Sequence, residues 1–178
     1  MTAVIPSGVG GLQAPSLVRR MASFVYEGLI LFGIGLIPGA IGALFVALTG
    51  HQHALQSDAA LRVITFLIYG IYFSWFWSAR GQTLPMQTWH IRVVTVQGGP
   101  LTQGRALGRY LASCAWFAPA ALLTVVNGWT GWHGLAAIAV GVVAYALLAL
   151  LHPQRQFWHD AICGTRLIDS KPAPAKAR

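Results

Sequence analysis

Apolar positions in this chain neither alternate nor recur every third or fourth residue; they run on. Residues 21–48, 61–79, 111–126 and 132–151 are each nearly continuous apolar sequence. About twenty residues of α-helix reach roughly 30 Å, the thickness of a bilayer's hydrocarbon core. Inside lipid the backbone must satisfy its own hydrogen bonds, so the four runs are predicted as transmembrane helices. The first contains Gly33, Gly35, Gly39 and Gly42, which let a neighbouring helix approach, and Pro38, which removes a backbone donor and favours a bend. It follows Arg19-Arg20 but is far longer than the roughly 7–15 apolar residues of a signal peptide, so it reads as a retained span. The third run is short and contains Pro119; the basic amphipathic stretch Leu101–Tyr110 before it is expected to lie at the surface and feed directly into it.

The polar segments carry their own patterns. Val93, Val94 and Val96 favour a strand, and Gln97-Gly98-Gly99-Pro100 is a strong turn signal. Ile91–Val96 is expected to pair with Thr165–Asp169. Pro153 stops the fourth run, and a short amphipathic turn, Gln154 to Cys163, is expected to close on Gly164 as a helix C-cap. The aromatic end of the second run, Tyr69 to Trp77, is expected at the headgroup level. His51 and His53 fall in the polar connection before Arg62, where two imidazoles alone make a weak metal site. The fold class is therefore all-α integral membrane: four transmembrane helices, short amphipathic helices on the basic side and a small β-hairpin. Residues 14–169 form one domain, and residues 1–13 and 170–178 are expected to be disordered tails.

Composition agrees and narrows the partners. The chain is 56% hydrophobic and 9% charged, against about 25% charged in a soluble domain. Net charge is +8, but no soluble basic module exists to hold nucleic acid, so that partner is excluded. With four spans, eleven of the twelve Lys and Arg residues fall on one side and only Arg62 on the other. That asymmetry predicts both termini in the cytoplasm and contact with anionic lipid. Cys114 and Cys163 form no CxxC pair; neither zinc nor a disulfide is expected.

Four acidic residues remain for chemistry: Glu27, Asp58, Asp160 and Asp169. Glu27 lies two turns inside the first run, where a carboxylate is costly unless paired, hydrated or protonated. Arg20, seven residues earlier, shares its face at about 10 Å along the axis, so the two form a polar stripe that should face the bundle. Asp160, beyond the fourth run among aromatic residues, is expected to approach Arg19 or Arg20. His159 beside Asp160 does not make an acid–base pair, because neighbours on a helix point about 100° apart. His90 and His152 have no nucleophile motif with them, and no catalytic site, cofactor or metal is expected.

Taken together, three stretches resemble the RDD family of membrane proteins, named for one Arg and two Asp. They are Ala14 to Glu27, Gly81 to Val94 continuing through Gly99-Pro100-Leu101 and Gly104-Arg105-Ala106, and His159 to Ile168. The resemblance implies a charged cluster of Arg20, Glu27 and Asp160, with Arg19 as the alternative Arg, and a loop motif of Gly81, Gln82, Thr83, Arg92 and Arg105. Glu27 stands where the family has its first Asp, and Gln87 where a basic residue is common. The family implies a bacterial-type inner membrane and, for some members, sodium/proton antiport. Two readings follow. In the first, the protein is a non-enzymatic scaffold or accessory component, with the cluster as a clamp and a second copy or a membrane protein as partner. In the second, it is a small cation/proton transporter using Glu27 and Asp160.

Overall fold

A computed structural model of the protein describes residues 13–50 and 58–171. The expected tails, with His51 and His53, lie essentially outside the described residues. Seven α-helices are described: α1 (Leu17–Thr49), α2 (Asp58–Ala79), α3 (Leu84–Thr88), α4 (Gln103–Ser113), α5 (Ala118–Val126), α6 (Gly131–Leu148) and α7 (Trp158–Ile162). Two strands, β1 (Ile91–Thr95) and β2 (Thr165–Asp169), complete the fold. Among the described residues, four helical segments are long and apolar enough to cross a membrane: Leu17–Thr49, Ala59–Ala79, Gln103–Val126 and Gly131–Leu151.

Helix α1 starts where the Ser16 hydroxyl accepts the Arg19 N–H, and ends at Gly50, whose φ of 68° turns the chain while its N–H closes on Val46. It runs through Pro38 without interruption. Its buried residues are Arg20, Ser23 and Glu27, all polar and all in its first third. This inverts the pattern of a soluble helix: the polar stripe faces the bundle and the apolar surface faces outward, as a lipid solvent requires.

Helix α4 passes through a tight turn at Cys114–Trp116 into α5, as expected, but it does not lie at the surface: it packs against α2, burying Ala106, Arg109 and Tyr110, and forms the first half of the third span. Pro119 falls in the first turn of α5, where its missing N–H costs nothing. Small residues set the close contacts. A Cβ on Gly141 would meet the Ala120 Cβ at 2.8 Å, which fixes the spacing of α5 and α6. Gly70 receives the ring of Tyr110, whose hydroxyl donates to the Phe66 carbonyl at 2.9 Å.

The segments outside the spans gather at one end of the bundle, called here the basic end. β1 pairs antiparallel with β2, Ile91 opposite Asp169 and Thr95 opposite Thr165. The pairing is the expected one, but the strands are not a hairpin: two spans intervene, so the pair ties the middle of the chain to its end. The 97–100 turn reverses the chain beyond β1, with the Gly98 N–H on the Thr95 carbonyl. Gln156, buried to 1% exposure, donates to the Leu167 carbonyl and accepts its N–H, extending the ribbon by a side chain. Gly164, at φ 62°, ends α7 as a left-handed residue, as its position predicts.

The aromatic end of α2 divides, contrary to a simple headgroup belt. Trp75 is exposed, whereas Trp77 is buried and stacks on Phe73 at 4.7 Å between centroids. Tyr69 and Tyr72 donate inward, to the Leu31 carbonyl and to Glu27. At helical spacing these rings face α1 and α4, and their polar tips need partners that lipid lacks.

Candidate functional site

The charged residues converge at the basic end, around a partly open cavity of about 400 Å³ lined by α1, α2, α4 and the segment around α7. Arg20, Ser23, Glu27, Arg109 and His159 reach its wall; the rest is mostly aromatic and aliphatic.

Asp160 is fully buried and paired with Arg109, whose Nε donates to its Oδ1 at 2.6 Å. The Thr165 hydroxyl donates to the same oxygen at 3.2 Å. Arg109 is 5% exposed, and its guanidinium lies over the Trp77 ring at 4.1 Å. Burial alone would push the Asp160 carboxyl up. The charges of Arg109 and His159 and the bonds from Arg109 and Thr165 outweigh it and hold the group below the usual carboxylate range. Arg105, one turn before Arg109, is exposed, so the two arginines part company despite their spacing.

His159 is 4% exposed, and its Nδ1 accepts the Trp116 indole N–H at 3.0 Å. An indole N–H can only donate, so the ring proton sits on Nε2, which faces Asp160 Oδ1 at 3.6 Å. The Tyr145 hydroxyl accepts the His159 backbone N–H and lies 3.1 Å from Nδ1. Burial, partly opposed by the Asp160 charge, lowers the imidazole pKa to about 4, so the ring is neutral at physiological pH. A second proton on Nδ1 would point at the Trp116 donor.

Glu27 is 8% exposed; Oε1 accepts the Tyr72 hydroxyl at 2.7 Å and Oε2 the Thr83 hydroxyl at 2.5 Å. Thr83 serves twice, because it also caps α3 by accepting the Met86 N–H. Arg20, 4% exposed, holds its guanidinium carbon over the Phe157 ring at 4.7 Å from the centroid, and its Nε and Nη1 have no hydrogen-bond partner among the described residues. Arg19 turns the other way. It pairs with both oxygens of Asp169 and donates to the carbonyls of Trp89 and His90, locking the start of α1 to the end of β2.

The family model for the RDD family matches residues 14–164. The chain belongs to the RDD family. No curated protein and no solved structure matches it.

The RDD-family match spans Arg20, Glu27 and Asp160 but ends before Asp169. The structure brings Arg20 and Glu27 to one cavity, on the stripe their spacing predicts. Asp160 approaches Arg20 closely enough for their charges to interact, as expected, but its hydrogen-bonded partner is Arg109, which was not expected, and Arg19 goes elsewhere. The RDD loop motif is structural. Gly81, at φ 69°, accepts the Val93 N–H at 2.8 Å and leaves 2.9 Å between a would-be Cβ and the Val93 carbonyl. Gln82 donates to the Ile91 carbonyl and to Ser170, Thr83 binds Glu27, and the Arg92 chain passes beside Gly81. Arg105 remains at the surface. Arg109 and Asp169 were missed as partners. Arg109 shares its helix face with buried Ala106 and Tyr110, a signal visible in the sequence. Asp169 ends the strand that was expected to pair with the loop.

Proposed function

We propose that the protein is a non-enzymatic, multi-pass scaffold or accessory component of a bacterial-type inner membrane, with both termini cytoplasmic and the basic end against anionic lipid. The observation that carries this reading is the buried Arg109–Asp160 pair. It joins the third span to the segment after the fourth and leaves Asp160 too well held to titrate near neutrality. The Arg19–Asp169 pair adds a second tie across the same end. His159 is occupied by Trp116 and Tyr145, which fits an imidazole that braces rather than reacts. Arg80, Arg105 and Arg155 are exposed there, as contact with lipid phosphates requires. A membrane partner or second copy fits along the outer two-thirds of α1, which buries none of its own residues in this chain.

A small cation/proton transporter is the second reading, supported by Glu27 lining the cavity with two hydroxyl oxygens beside it. Proteoliposomes carrying sodium, potassium or lithium gradients separate the two. The scaffold reading expects no proton flux from folded wild type. Cation-dependent flux that disappears in folded Glu27→Gln would replace it with the transporter.

A further inference from the structure

The cavity has one charged residue whose donors go unused. Arg20 is 96% buried by its 4% exposure, lines the cavity, and has no hydrogen-bond partner on Nε or Nη1. The Trp77 indole N–H, on the same wall, is also buried without a partner. Buried donors are almost always satisfied, and a guanidinium most of all. No protein carboxylate takes these donors. Asp160, the counter-charge Arg20 feels, forms no hydrogen bond with it; its Oδ1 is held by Arg109 and Thr165, and its Oδ2 is buried without a partner of its own. Both oxygens of Glu27 accept hydroxyls, and Glu27 sits about 10 Å further along α1.

We propose that this cavity binds an acidic lipid, its oxyanion head on the Arg20 fork and the Trp77 N–H and its apolar chain running between α1 and α2. The shape of the site has the polarity of a bilayer lipid. Arg20 stands in the first turn of a span, where the helix begins, and its guanidinium rests over the Phe157 ring. Leu31, which also lines the cavity, lies about 16 Å further along α1 by helix rise, and Phe66 joins it from α2. About 400 Å³ of mostly apolar space is the size and character of a small-ligand site. An inorganic anion would leave that length empty, and a neutral lipid would leave the guanidinium unmet. The inference stands apart from the scaffold reading: the site serves a structural lipid or a carried one equally.

The test uses the full chain purified in a neutral maltoside detergent, titrated with oleate, dioleoylphosphatidylglycerol, oleyl alcohol and inorganic phosphate, with one-to-one adducts quantified by native mass spectrometry. Oleate or dioleoylphosphatidylglycerol is expected to bind, and the tighter of the two identifies the head as carboxylate or phosphate. Oleyl alcohol should be about tenfold weaker or worse, and Arg20→Gln should weaken the acidic ligand by a similar factor. Gly28→Leu provides a second route: Gly28 lines the cavity, a Cβ there meets nothing within 4 Å, and leucine favours the helix, so the variant fills the site with Arg20 intact. Oleyl alcohol binding as tightly as oleate, phosphate displacing oleate, or acidic-lipid binding unchanged in Gly28→Leu would each overturn the proposal. If Arg20→Gln fails to fold, Gly28→Leu decides alone.

Discussion

Acidification from pH 7.5 to 5 is expected to destabilise the protein by about 2 kcal/mol through His159 alone. The imidazole titrates near 6.5 in an unfolded chain and is lowered to about 4 in the fold, because burial penalises its charged form. Between those values the unfolded state binds the proton and the folded state does not, so stability rises with pH across that window. The contribution is complete above about pH 6.5, falls as the pH drops, reaches a loss of about 3 kcal/mol near pH 4, where the folded ring is half protonated, and levels off below that. At pH 5 the unfolded ring is about 97% protonated and the folded ring about 10%, which gives the 2 kcal/mol. Tryptophan fluorescence during denaturant unfolding in detergent, at pH 7.5 and 5, measures the difference. His159→Gln removes the titration while its amide oxygen can still accept the Trp116 N–H, and it keeps the other histidines common to both proteins. The variant is expected to be less stable at neutral pH but to lose about 2 kcal/mol less on acidification. Equal losses in the two proteins, or a nitrogen spectrum showing the ring charging near pH 6.5, would refute the reasoning.

Breaking the buried pair from either side should be severe. Asp160→Asn or Arg109→Gln is expected to cost about 3–5 kcal/mol, and the apolar double change Arg109→Met with Asp160→Leu less than the sum of the single ones, read as shifts in unfolding midpoint. Gly141→Ala should force α5 and α6 apart, because its Cβ would meet that of Ala120 at 2.8 Å; a loss of about 1–3 kcal/mol is expected in the same assay. Gly81→Ala combines a left-handed φ of 69° with a 2.9 Å approach to the Val93 carbonyl, and about 2 kcal/mol or more of destabilisation should appear with faster amide exchange in β1. Tyr72→Phe leaves Glu27 with one hydroxyl fewer and is expected to cost about 1–3 kcal/mol in the same unfolding assay.

Much of this architecture is local information and could be read before any fold was known. Lipid imposes a length and a continuous apolar character on each span, so the four runs, the joined third span, Gly164 as a cap and the pairing of β1 with β2 are all legible in the chain. The inward stripe of Arg20 and Glu27 follows from helix geometry plus the cost of a charge in hydrocarbon. Partner choice does not follow from either. Asp160 has several arginines within reach of the basic end, and which one it meets depends on how α7 docks beside α4, a matter of packing among Trp116, Tyr145, Phe157 and Trp77. The same packing drew part of the aromatic end of α2 inward, set the tautomer of His159, and sent Arg19 to Asp169 while leaving the donors of Arg20 to the cavity. Hydrophobic pattern decides which segments enter the membrane; the pairing of a few charges, each stable only where its neighbours remove water and supply a partner, is decided by the tertiary structure alone.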